Sequence, residues 1–207
     1  MSALAAPAPP HAGSDRRAPS RGIVAMLAVI VAESAIFAIF VVAYVFYIGK
    51  SLSGPTPRQV LEIPYFNTVC LLSSSITIWL AERSLKRAST RSATRSAMRA
   101  FTAWWACTAL LGAIFLAGTA LEWRKLIYQD GLTVRTNLFG TTFYSLVGLH
   151  ASHVIIGLIM LSFVLIFALT GKLHPQHRHR VEVLALYWHF VDAVWVVVFT
   201  VVYVIGR

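Results

Sequence analysis

Apolar residues fall in five blocks, about 23–48, 63–81, 101–121, 138–169 and 182–205, separated by polar and charged segments. Blocks of about 20 apolar residues have the length a helix needs to cross the hydrocarbon core of a bilayer. The pattern predicts an all-α, polytopic membrane protein with five transmembrane helices. Residues 23–207 form a single transmembrane domain, preceded by a disordered basic tail over 1–22 that is too rich in Ala and Pro to build a core. The first block is too long for a signal-peptide core and lacks a clear cleavage site.

Each block carries its own exceptions. In the first the only charge is Glu33, about 15 Å into the helix at 1.5 Å per residue, with Phe37, Phe40 and Tyr44 on its face. Gly54, Pro55 and Pro57 mark the following loop, and Pro64 suits the start of the second helix. That helix holds Asn67 and a cluster of Ser73, Ser74, Ser75 and Thr77, read as small residues for close helix packing. Trp123, with Glu122, Arg124 and Lys125, anchors the end of the third helix, and Asp130-Gly131 marks a turn. The fourth helix carries His150 and His153 above Gly157, and Gly148 and Ser152 as a small-residue pair.

The fifth block opens on Tyr187-Trp188-His189-Phe190-Val191-Asp192-Ala193-Val194-Trp195. Helical spacing puts His189, Asp192, Thr200 and Tyr203 on one stripe, and Trp188 with Trp195 on another. Ionisable groups at that depth face protein rather than lipid, and a buried His189–Asp192 pair is the plain reading.

Charge sets the orientation. Of the 18 Lys and Arg residues, 12 lie in the tail, the 82–100 segment and the 170–182 loop, and 6 on the other side. Positive segments stay cytoplasmic, so the N-terminus is expected inside and the C-terminus outside. The chain has 207 residues, 57% hydrophobic and 13% charged, with a formal net charge of +10. With the basic residues between apolar blocks, anionic phospholipid headgroups are the expected partner, and nucleic acid is not. Arg83, Lys86, Arg87 and Lys172 are headgroup candidates. Arg83, Arg87, Arg91, Arg95 and Arg99 recur every four residues and would share one helical face. Cys70 and Cys107 lie in apolar blocks and imply no disulfide framework.

Glu33, His150, His153 and Asp192 fall near one depth, with His189 slightly to the cytoplasmic side. A proton relay, a buried polar cluster, or a haem held by His153 and His189 are the open chemistries. No copper-type Cys/His/Met cluster, di-iron Glu-x-x-His pair, phosphate loop or nucleophilic triad is present, so no metal or catalytic residue is assigned.

Four segments add a resemblance. Tyr187 to Trp195 is similar to the final-helix signature of subunit III of the haem-copper terminal oxidases. His150-Ala151-Ser152-His153-Val154-Ile155-Ile156-Gly157 resembles that family's paired-histidine motif. Gly131 to Phe143 resembles the loop leading into it, and Ala32-Glu33-Ser34 with Phe37 matches its membrane-embedded glutamate. The likeness runs from Ile23 onward in a five-helix bacterial form. It departs from the family at Leu149-His150-Ala151 and at Leu121-Glu122-Trp123.

The resemblance implies a non-catalytic subunit of a proton-pumping oxidase, with cytochrome c or quinol as donor, in a bacterial cytoplasmic membrane. Haem and copper would sit in partner subunits I and II, with none bound by this chain. Bound phospholipid and a larger respiratory assembly are further implied partners. Glu33 would support proton uptake and protect the catalytic subunit, with His150, His153, His189 and Asp192 around it. A nitric-oxide-reductase-like subunit and a stand-alone proton-coupled transporter are the competing readings.

Overall fold

The computed structural model describes residues 20–51, 54–90, 94–174 and 177–206. Most of the expected basic tail and Arg91 lie outside them. All regular structure among the described residues is helical: α1 (Arg21–Tyr47), α2 (Pro57–Val60), α3 (Tyr65–Thr90), α4 (Thr94–Tyr128), α5 (Leu138–Leu169) and α6 (Arg178–Phe199), whose end continues as a π-helical stretch, Thr200–Ile205. Four of these are long and apolar enough to cross a membrane: Arg21–Tyr47, Arg95–Tyr128, Leu138–Leu169 and Arg178–Ile205.

The local signals explain the boundaries. Ser20 Oγ accepts the Ile23 N–H at the start of α1, and Asn137 Oδ1 accepts the Gly140 N–H at 2.8 Å at the start of α5. Gly131 and Gly171 turn the chain at φ +66° and +70°, values that L side chains rarely adopt. The short helix α2 was not foreseen. Pro57 at its first position and Gln59, whose Oε1 accepts the Thr56 N–H, build it.

Two expected boundaries are corrected. The 82–100 segment is not a connector between short helices; its described residues, 82–90 and 94–100, form the last turns of α3 and the first of α4. Lys, Arg and Ala favour helix as strongly as Leu does, so a charged segment rich in them continues the helix outside lipid. Arg83 and Arg87 therefore belong to one helix and Arg95 and Arg99 to another, so the every-fourth-residue basic stripe is divided.

α1 packs on α5 and α6, α4 on α3 and α5, and α3 on α6, so α5 and α6 lie at the centre. α1 buries only Phe37 and Tyr44. The centre is closed by Trp188 of α6, whose ring lies between two glycines. A Cβ on Gly112 of α4 would stand 2.7 Å from it, and one on Gly157 of α5 2.8 Å. Trp105 of α4 donates its indole N–H to the Leu161 carbonyl of α5 at 2.9 Å. Lipid tails are as apolar as the side chains they replace, so such close contacts and interhelical hydrogen bonds, rather than hydrophobicity, hold the helices together.

Candidate functional site

The ionisable residues gather in two groups on opposite sides of α6. On the α1 side, Glu33 Oε2 and His153 Nε2 are 3.2 Å apart, with the glutamate side chain 30% exposed and the histidine 10%. Phe37, one turn along α1, covers the imidazole at 5.0 Å between ring centroids. His153 Nδ1 lies 2.8 Å from the Leu149 carbonyl, a contact that only an Nδ1–H can make. The Glu33–His153 contact then holds one proton, on the carboxyl of a neutral pair or on the imidazole of an ion pair. The pair is neutral overall in both states, which suits its depth.

His150, one turn earlier on α5, is 1% exposed. Its ring lies against Trp195 at 5.0 Å, Phe115 at 5.8 Å and Phe37 at 6.5 Å, and neither nitrogen has a partner among the described residues. It sits beside the Glu33–His153 pair without a hydrogen bond to it.

On the α3 side, Asp192 accepts hydrogen bonds from Ser74 at 3.4 Å and, more closely, from Ser75. Ser75 Oγ also lies 3.1 Å from His189 Nδ1. Trp188 donates to Ser74 Oγ at 2.8 Å, and Trp195 to Thr68 Oγ1 at 3.2 Å. The expected direct His189–Asp192 pair is therefore not formed; Ser75 stands between them. Side chains three apart on a helix share a face but splay, and a hydroxyl from the next helix fills the gap. His153 and His189, the two histidines considered for a haem, turn to different neighbours, α1 and α3.

Sequence reading took the serine cluster as small residues for packing. Ser74 and Ser75 are instead the polar partners of α6, and a serine run on a helix otherwise fit to span was the available signal. Thr77 bonds across to Thr108 of α4 at 2.8 Å. Glu122, read as part of the anchor at the end of the third helix and as a departure from a motif, accepts the Tyr203 hydroxyl at 2.8 Å, and Thr200 bonds back to Val196 on an exposed face.

The basic candidates occupy separate elements. Arg83, Lys86 and Arg87 are exposed on the last turns of α3, with Arg83 over the Trp79 ring at 5.4 Å. Lys172, with Arg180, edges a groove of about 410 Å³ whose apolar walls include Met160, Phe163, Leu173 and Leu184. Among the described residues no group of three or more His, Cys, Asp or Glu could hold a metal ion.

Comparison with known proteins adds the last observation. The family model described as Cytochrome c oxidase subunit III matches residues 12–207. The cytochrome c oxidase subunit 3 of Thermostichus vulcanus is 31% identical over 192 residues, covering 91% of this chain and 90% of its own. That of Alkalihalophilus pseudofirmus is 34% identical over 178 residues, 84% of this chain and 82% of the relative. The cytochrome bo(3) ubiquinol oxidase subunit 3 of Pseudomonas aeruginosa is 34% identical over 176 residues, 84% and 80% of the two chains.

Proposed function

The chain belongs to the cytochrome c oxidase subunit III family, and from that premise we propose that it is the non-catalytic third subunit of a proton-pumping oxidase, sustaining proton uptake and holding phospholipid. In this reading it has no catalytic centre; the haems and copper belong to subunits I and II, which it stabilises in a bacterial cytoplasmic membrane. α3 is the fifth span. Its serines and threonines lower its hydropathy but turn toward α4 and α6, where Thr108, Asp192 and Trp188 satisfy them. The N-terminus then lies inside and the C-terminus outside, as the Lys and Arg distribution requires.

The observation that carries the proposal is the Glu33–His153 pair. One proton is shared between two groups that face the surface where α1 meets α5, with Phe37 closing one side. A pair of this kind can move its one proton between carboxyl and imidazole while staying neutral overall, and stays neutral in a relay only where uptake on one member is matched by release from the other. Among the described residues it is not part of a group of three or more His, Cys, Asp or Glu that could hold a metal ion. His150, His189 and Asp192 hold the helices that present it. The groove beside Lys172 and Arg180 supports phospholipid binding, with apolar walls for acyl chains and two cations for a phosphate.

The test is Glu33→Gln in the assembled oxidase, followed by oxygen consumption over many turnovers. Gln removes the exchangeable proton and keeps the shape. The expected result is normal assembly, an initial rate within about twofold, and faster loss of activity during turnover. Complete loss of initial activity in an assembled complex would overturn the accessory role, and an unchanged time course would remove Glu33 from it.

A further inference from the structure

We propose that the seam of α3 and α6 centred on His189 is a docking face for a transmembrane helix of another oxidase subunit, and that this helix brings a hydrogen-bond donor to His189 Nε2. The inference rests on reading the chain as part of an oxidase complex, and it goes further by assigning the face and the chemistry of its partner.

Counting protons gives the tautomer. Ser75 has one hydroxyl proton and donates it to Asp192 Oδ2. The contact of Ser75 Oγ with His189 Nδ1 at 3.1 Å must then be an Nδ1–H donating to the oxygen. Ser74 Oγ approaches the same oxygen at 3.4 Å, but its one proton lies nearer the Leu71 carbonyl at 2.6 Å, so Ser75 is the donor that makes Asp192 the acceptor at the end of the chain. A neutral imidazole with its proton on Nδ1 presents a lone pair at Nε2. That nitrogen makes no hydrogen bond among the described residues, and it is not among the sealed, unpartnered atoms of the core; His189 is half-buried. An acceptor is therefore held at the surface in a fixed orientation.

Depth makes this consequential. His189 is eleven residues into α6, about 16 Å from its start at 1.5 Å per residue. Hydrocarbon at that level supplies no donor, so an acceptor left against lipid costs free energy that a protein partner removes. The surroundings suit a helix. Leu72 and Ile76 of α3 and Ala193, Val196 and Thr200 of α6 are exposed beside it. Helical spacing aligns Ala193 and Thr200, both small, below His189, which allows close backbone approach. The exposed stripe of α5, including Ile155, Ile159, Phe163 and Ile166, differs: it offers large apolar side chains and one hydroxyl, Ser162, already turned back to the Leu158 carbonyl at 2.7 Å, with no imidazole held out from it. A lipid tail against α6 would leave Nε2 unpaired, whereas a helix carrying a hydroxyl, amide or indole N–H at this level would not.

The experiment is carried out in the native membrane. Ala193→Cys, in a chain with Cys70→Ala and Cys107→Ala, is labelled with a benzophenone maleimide and photolysed, and the oxidase is purified and its adducts sequenced. Ile159→Cys serves as the control. The expected result is an adduct joining Ala193→Cys to a transmembrane segment of another oxidase subunit, with lipid adducts alone at the control position. Oxidase subunits that co-purify while the Ala193 position joins only lipid, or a second copy of this chain, would overturn the docking face and leave the membership of the complex intact. Failure of any oxidase subunit to co-purify would instead overturn the reading beneath it. A second readout tests the acceptor. His189→Leu is expected to lower retention of the chain by the complex about three- to tenfold, the worth of one interhelical hydrogen bond in a membrane. His189→Gln, which keeps an acceptor, is expected to restore it; equal retention of the two variants would overturn the role of Nε2.

Discussion

The indole of Trp188 fills the hollow at Gly157 so closely that a Cβ built there would lie 2.8 Å from the ring. Gly112 presses from α4 on the other side of the same ring, and Ser74 of α3 receives its N–H. One side chain therefore fixes the spacing of α6 from three helices. The ring is fully buried and its atoms cannot yield without moving a backbone. Gly157→Ala and Gly112→Ala are each expected to destabilise the chain by about 1–3 kcal/mol through overpacking. Thermal unfolding of the detergent-solubilised protein checks this, with Gly148→Ala as the tolerated control. There a Cβ meets only Trp123, at 3.4 Å, an ordinary contact.

The serines of α3 separate by partner. Ser74 and Ser75 serve Asp192, Trp188 and His189, whereas Ser73 makes none of the interhelical bonds that define the seam. Ser75→Ala removes the closest donor to a buried carboxyl whose other oxygen already lacks a partner. The expected cost is about 1–3 kcal/mol for Ser75→Ala and a similar one for Ser74→Ala, against less than about 0.5 kcal/mol for Ser73→Ala. Equal costs for all three would mean that their size, and not their hydroxyls, matters.

This contrast shows where sequence reading stops. The bounds of α5 were legible because Asn137 caps one end and Gly171 turns the other, both local signals. The ends of α3 and α4 were read short because a charged segment looks like a loop, although Lys and Arg favour helix as well as Leu does. Glu33, His150, His153, His189 and Asp192 stood out because charge is rare inside apolar blocks. Their pairing did not. Ser75 lies 117 residues from Asp192, and Glu122 is 81 from Tyr203, so no periodicity links them. Spacing of three suggested a direct His189–Asp192 bond; tertiary packing inserted Ser75 instead.

A hydrogen bond from Tyr203 to Glu122 ties the π-helical stretch Thr200–Ile205 to α4. Tyr203 sits in the π-helical stretch, whose wider turn is a rare geometry that needs tertiary contacts to persist. Tyr203→Phe keeps the ring, which is 1% exposed and stacked on Phe199. It is expected to cost about 1–2 kcal/mol and to speed amide hydrogen exchange over Thr200–Ile205. Unchanged exchange there would show that packing alone holds the turn.

The pairing of Glu33 with His153 makes a prediction about additivity. Replacing Glu33 alone by Ala leaves His153 Nε2 without its partner, and replacing His153 alone by Ala leaves a carboxyl at mid-membrane in the same state. Each single change carries the penalty of the group left behind as well as the lost bond. The double variant leaves neither. Each single substitution is therefore expected to cost about 1–3 kcal/mol, and the pair together no more than the costlier single one. That corresponds to a coupling of at least the cheaper single cost, about 1–3 kcal/mol, in a double-mutant cycle of chain stability. His150→Ala serves as the reference. Its ring has no hydrogen bond to lose among the described residues, so with Glu33→Ala its packing cost should add almost independently. If the Glu33 and His153 costs add as well, the two groups do not share a proton, and the proposed proton-holding role of the pair falls with that result.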